Sequence, residues 1–250
     1  MQDIEIKDRG KTIYLLPNLF TTAGMFAGFY AIVAAMKGLF EYAVVAIFIA
    51  MIMDSIDGRV ARLTNTQSAF GAQYDSLSDM VAFGIAPALF TYAWGLRYLG
   101  KIGWLATFFY AAATGLRLAR FNVHLSDTEV KTQDFLGLPC PAAAGFVISM
   151  IWLALVYHLQ SRTYHIIGAC LIVFTALMMV SNIPYRSFKD KDFRDKVPFL
   201  LILIVLLLFV GITLDPPHVL AAIFTLYLLS GFVAWIRRSR KYILDRRMKQ

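Results

Sequence analysis

Residues 54–79 read DSIDGRVARLTNTQSAFGAQYDSLSD, and they join two long hydrophobic segments of the chain. Four aspartates, Asp54, Asp57, Asp75 and Asp79, fall within these 26 residues. Asp54 and Asp57 are three apart and project from one face of a helix, which Gly58, Ala61 and Arg62 continue. Gly71, Asp75 and Asp79 recur at intervals of four, again one helical face. Between the two faces lies LTNTQSAF, polar enough for a short turn. If the flanking helices are antiparallel neighbours, the faces meet and four carboxylates converge where the apolar runs end. Such a cluster repels itself and takes up protons unless a cation is present. A hard divalent ion, or two, with oxygen ligands relieves the repulsion. Taken singly, any of these aspartates reads equally well as a cap or a solvated loop residue. All four at helical spacing, with small Gly58 and Gly71 beside them, read as a functional site. An EF-hand is excluded, because the alternating acidic spacing and terminal Glu are missing.

Composition agrees with a membrane setting for this stretch. Of the 250 residues, 59% are hydrophobic and 16% charged, against about a quarter charged in soluble domains. The mean hydropathy is +0.63, and the charges gather in short clusters between apolar runs. The fold class is therefore all-α: a polytopic membrane helical bundle. Eight spans are expected, at 16–36, 40–62, 74–96, 102–121, 141–159, 164–182, 198–214 and 217–236. Their lengths and lack of alternation exclude barrel strands. No internal repeat or low-complexity tract interrupts them. The mixed-charge start, Met1 to Lys11, with no small-residue cleavage site after the first run, argues against a cleavable signal peptide.

Lysine and arginine set the orientation. They concentrate in the N-terminal segment, at Arg59 and Arg62, around Arg117, Arg120 and Lys131, between Arg186 and Lys196, and in the tail from Arg237. The opposite loops hold only Lys37, Arg97, Lys101 and Arg162. Both termini and the aspartate cluster are thus expected on the cytoplasmic side of the cell (inner) membrane. The net charge of +8 reflects this bias and attraction to anionic headgroups of the lipid bilayer. It forms no nucleic-acid recognition module, so no nucleic-acid partner is expected. Cys140 and Cys170 lack partners at disulfide or metal-ligand spacing.

A divalent site at headgroup depth completes its coordination with substrate phosphates, and Arg62 adds a donor suited to phosphate oxygens. The chemistry points to a diphosphate whose other end is a lipid. The string Asp54-x-x-Asp57-Gly58-x-x-Ala61-Arg62, eight residues, then Gly71-x-x-x-Asp75-x-x-x-Asp79 resembles the signature of the CDP-alcohol phosphotransferases, matched at every defining position. The resemblance implies transfer of a phosphatidyl or phosphoalcohol unit from a CDP-linked donor to an alcohol, with release of CMP. It implies that Asp54, Asp57, Asp75 and Asp79 bind two divalent cations, Mg2+ or Mn2+, and that Asp79 is also the general base. It further implies that Gly58, Ala61, Arg62, Ser68 and Gly71 meet the CDP-lipid. The Asn-x-x-Thr element, Asn18 to Thr21 after Pro17, would join them at the nucleotide.

Two more stretches, RLARFN (117–122) and GLPCPAAAG (137–145), together with the layout of the chain, are similar to the phosphatidylserine synthases of that family. Their resemblance implies CDP-diacylglycerol and serine as substrates, a homodimer, and Arg117, Arg120 and Asn122 at the serine. A fixed Arg is a natural clamp for a carboxylate, although positive-inside anchoring explains both arginines equally well. The implied organisation is a juxtamembrane segment 1–15, a six-span catalytic core 16–182, a basic loop 183–197, two further spans 198–236 and a basic tail 237–250. Sister enzymes using glycerol 3-phosphate or an inositol phosphate remain open. An intramembrane prenyltransferase would hold its Asp motifs on distant helices. An ion-coupled transporter would place its carboxylates nearer the bilayer midplane.

Overall fold

The computed structural model describes residues 3–64, 66, 68–126, 135–185 and 199–247. Its elements are α1 (Asp3–Met36), α2 (Phe40–Leu63), α3 (Ala69–Asp79), a π-helical turn (Met80–Ile85), α4 (Ala86–Trp94), a 3-10 turn (Leu96–Leu99), α5 (Lys101–Ser126), α6 (Cys140–Val156), α7 (Arg162–Val180), α8 (Phe199–Leu214) and α9 (Pro216–Arg247). One helical rod stands at each of the eight expected spans, with α3, the π turn and α4 forming the third. Two short strands, β1 (Phe135–Leu136) and β2 (Pro184–Tyr185), pair antiparallel. Lys131 and the basic residues Arg186, Lys189, Lys191, Arg194 and Lys196 lie outside the described residues.

Five of the rods are long and apolar enough to cross a membrane: 15–36, 69–94, 101–123, 162–180 and 216–233. The other three are shorter or more charged. Helix α2 carries Glu41, Asp54, Asp57, Arg59 and Arg62. Helix α6 has 17 residues, and the described apolar part of α8 runs over 203–214. Helices α1 and α9 also extend beyond the apolar stretches, into the segments 1–15 and 237–250.

In lipid there is little hydrophobic drive between helices, so close packing decides which surfaces meet. Helices α1 and α2 pack along each other, and Ala27, Ala31, Ala34 and Ala35 of α1 and Ala43, Ala46 and Ala50 of α2 are all buried. Gly28 of α1 faces the π turn, where a β-carbon would stand 2.7 Å from Ala82 Cα. The same turn is held from α5, whose buried Tyr110 hydroxyl donates to the Phe83 carbonyl at 3.1 Å. Thus α1 and α5 clamp the turn that directly follows Asp79.

Helix α9 lies along α6. Its start is tied down by a chain of side chains: His218 bonds Asp215 at 2.8 Å and the Tyr157 hydroxyl at 2.7 Å. The His218 bond holds the Asp215 carboxyl below the usual carboxylate range. At the other end of α6, Tyr185 lies across Gly231 of α9 and donates to the Leu228 carbonyl at 3.4 Å. Burial, with Tyr227 beside it, pushes the Tyr185 phenol up to about 12, so it stays a donor at neutral pH.

Gly28→Ala should therefore force the third rod away from α1 and destabilise the fold by about 1–3 kcal/mol, as overpacking does. Thermal unfolding in detergent checks this. Gly115→Ala, whose added carbon would meet only the flexible Met80 side chain at 3.8 Å, should leave the midpoint unchanged.

Candidate metal and phosphate site

The α2–α3 hairpin delivers the acidic faces as its spacing requires. Helix α2 ends at Leu63, and Ser68 restarts the chain as the N-cap of α3, its Oγ accepting from the Gly71 amide at 3.0 Å. The carboxylates of Asp54, Asp57 and Asp75 face one another, with one ligand oxygen from each lying within 4.8 Å of the others. Asp57 is buried, 5% exposed; Asp54 and Asp75 are half-buried. Asp79 is also half-buried and lies outside this tight triad, one turn beyond Asp75.

Two unit charges about 5 Å apart repel by about 3 kcal/mol at an effective dielectric near 20. A hydrogen bond to a charged group returns about 1.5–3 kcal/mol, so the bond from Thr21 does not by itself balance the mutual repulsion of the triad. A divalent ion does, and the donor set fits one. Opposite ligands of a magnesium ion stand about 4.2 Å apart, so three carboxylate oxygens spread over 4.8 Å close on it with small side-chain adjustments. The oxygen-only chemistry suits magnesium or manganese rather than a thiolate metal.

Helix α1 supports the cluster from behind. Thr21, 5% exposed, donates to Asp57 Oδ2 at 2.8 Å and lies 3.1 Å from the Pro17 carbonyl. Thr21, expected at the nucleotide, thus also bonds a carboxylate. Ser78 donates to the Thr21 carbonyl at 3.0 Å, and the Thr22 and Tyr74 hydroxyls bond at 2.9 Å. Asn18 reaches the start of α3, where its Oδ1 would lie 3.7 Å from a β-carbon on Gly71. Arg62, exposed, extends past Gly58, its Nη1 3.8 Å from a β-carbon built there. Ala61 is half-buried on the same helix, and its carbonyl accepts from the Thr66 amide at 3.1 Å.

The residues expected at the acceptor diverge. Arg117 reaches the start of α6: Nη1 donates to Cys140 Sγ at 3.1 Å, while its buried Nε has no hydrogen-bond partner among the described residues. Arg120 donates to Asn182 Oδ1 at 2.8 Å. Asn122 bonds Ser76 at 3.0 Å and Gln73 at 3.4 Å, fastening α5 to α3. Sequence reasoning passed over Ser78, Tyr74 and Cys140. The signal for Ser78 was present, since it sits beside Asp79 in a polar stretch. Cys140 gave none, being a lone thiol.

Residues 14–181 match the family model described as CDP-alcohol phosphatidyltransferase. The chain is similar to a Helicobacter pylori protein (strain J99) named CDP-diacylglycerol–serine O-phosphatidyltransferase, 37% identical over 234 residues that cover 94% of this chain and 96% of that one. A protein of the same name from a second H. pylori strain is 36% identical with the same coverage. One from Mycobacterium leprae is 34% identical over 182 residues, 72% of this chain and 60% of that one.

Thr21→Val removes the donor that orients Asp57 and should weaken Mn2+ affinity about 10- to 100-fold, the usual effect of losing a partner behind a metal ligand. Thr21→Ser should retain it. Manganese binding to the purified protein, followed by electron paramagnetic resonance, checks both; unchanged affinity in the valine variant would remove Thr21 from this role.

Proposed function

This chain belongs to the CDP-alcohol phosphatidyltransferase family, and on that premise we propose that it transfers the phosphatidyl group of CDP-diacylglycerol to the hydroxyl of L-serine, giving phosphatidylserine and CMP. The observation that carries the choice of serine is the similarity over 94% of the chain to proteins named for that acceptor. The geometry supports it with a cationic donor, the Arg117 guanidinium, whose buried Nε lacks a partner among the described residues.

Asp54, Asp57, Asp75 and Asp79 would hold two divalent ions, Mg2+ or Mn2+. Ions bound there neutralise the diphosphate and the charge that develops on the departing CMP. Asn18, Gly58, Ala61, Arg62 and Gly71 line the donor's phosphates and nucleotide, the glycines admitting the ligand close to the backbone. Ser68 presents the capped start of α3 to the same end of the donor, where helix amides favour anions. Arg117 clamps the serine carboxylate, with Arg120 and Asn122 closing that side through Asn182 and Ser76. The serine oxygen attacks the phosphorus attached to diacylglycerol, its proton passes to Asp79, and the bond from that phosphorus to the CMP oxygen breaks. Serine enters from water and the lipid sideways from the leaflet.

In the same reading the aspartates and both termini face the cytoplasm at the inner membrane, residues 16–182 form the catalytic core, and two chains associate as a homodimer. The two spans at 198–236 are an addition to that core.

The deciding experiment mixes purified protein, CDP-diacylglycerol and Mn2+ with a panel of alcohols. CMP and an amino-phospholipid should form with serine; product with glycerol 3-phosphate or inositol phosphate instead would move the chain to a sister activity. Asp57→Asn and Asp75→Asn should abolish turnover, and near-normal CMP release by either at saturating Mn2+ would exclude the two-ion reading. Arg117→Lys keeps the charge but loses the planar fork. It should raise the KM for serine about 10- to 150-fold with the KM for CDP-diacylglycerol little changed, whereas Arg120→Lys, already paired to Asn182, should have a smaller effect.

A further inference from the structure

Residues 137–140, GLPC, lead into α6, and their backbone is bonded to the end of α7 and the residues after it. The Gly137 amide donates to the Ile183 carbonyl at 2.9 Å, and the Leu138 amide to the Met178 carbonyl at 3.0 Å. Gly137 has φ +85°, and any β-carbon there would collide with the Met179 carbonyl. Leu138 is buried at this junction. Cys140 follows as the first residue of α6 and is fully buried. Its sulfur is therefore held by α6 and α7 together, and not by α5.

That sulfur accepts from Arg117 Nη1 at 3.1 Å. Arg120, one turn along α5, donates to Asn182 Oδ1 at 2.8 Å, next to Ile183, the partner of Gly137. The two arginines thus rest on one platform, built where the start of α6 is bonded to the end of α7. A guanidinium is a rigid planar fork of five N–H groups. With Nη1 taken by Cys140, the edge formed by Nε and Nη2 is left for a second, two-pronged partner. Nε on that edge is buried and has no hydrogen-bond partner among the described residues. An anion arriving there satisfies a donor that is already out of water.

We propose that Cys140 is a positioning residue: its sulfur holds one terminal nitrogen of Arg117 and thereby turns the Nε edge of the guanidinium toward the anionic group of the acceptor. This rests on the acceptor role given to Arg117 above and adds the group that orients it. A charged acceptor in the same place would neutralise the arginine. A thiol is a weak, uncharged acceptor, so it fixes the direction of the fork and leaves its charge to the substrate.

The test is steady-state turnover of the purified full chain with each substrate varied in turn. Cys140→Ala and Cys140→Val both lack the acceptor, and each should raise the KM for serine about 2- to 10-fold, the size of one hydrogen bond. Neither kcat nor the KM for CDP-diacylglycerol should move with it. The two variants err in opposite directions on volume, so a packing defect shows as a difference between them. Cys140→Ser restores an acceptor and should return the serine KM close to its wild-type value. On the Arg117→Lys background, where no fork remains to be turned, Cys140→Ala should add nothing. Equal rises in both KM values, no rise at all, a serine variant no better than alanine, or an undiminished effect on the Arg117→Lys background would each overturn the proposal. The assay uses whichever acceptor of the panel the wild type prefers. A wrong acceptor therefore shows in the wild type, a wrong role for Arg117 in Arg117→Lys alone, and a wrong role for Cys140 only in its own variants.

Discussion

Like-charge repulsion among Asp54, Asp57 and Asp75 is the constraint around which this bundle is organised. Oxygens held within 4.8 Å of one another tolerate that distance only if the surroundings forbid their separation. Three devices forbid it. The short turn between α2 and α3 keeps the two acidic faces opposed. Thr21 and Ser78 fasten α1 across the back of the cluster. The clamp of Gly28 and Tyr110 on the turn at 80–85 stops the third rod from sliding out. These restraints come from α1, α3 and α5, so the cluster is held from several helices, and a bound cation would relieve its repulsion.

The same arrangement explains the mixture of rigid and open features at that end of the molecule. Asp57 is buried and hydrogen-bonded, whereas Arg62 and Ser68 are exposed. The proposed binding of a nucleotide in water and a lipid in the leaflet would use this division.

Much of this was legible in the sequence because it is periodic. Intervals of three and four placed Asp54 with Asp57 and Asp75 with Asp79, and apolar run lengths located all eight rods. What escaped was non-local or carried no apolar signal. The helices reach back to Asp3 and on to Arg247, beyond the apolar runs that located them. The partner of Thr21 is Asp57, 36 residues away, and no spacing within α1 points to it. Arg117 and Arg120 share a helical face by register, yet long side chains follow their acceptors, one to α6 and one to Asn182. MVAFGI reads as plain helix, and only contacts from α1 and α5 mark it as a π turn.

That turn bears on how chains of this kind can change length. In an ordinary membrane helix, deleting one residue rotates everything beyond it by about 100°, carrying packed faces into lipid and lipid-facing residues into the core. A π turn is an α-helical turn with one residue extra. A single deletion within Met80–Ile85 would therefore leave the aspartate face before it and the buried face of α4 after it in their present orientations. In evolutionary terms this is a spare position inside a span, where an alignment gap between relatives would signal conservation of geometry rather than its loss.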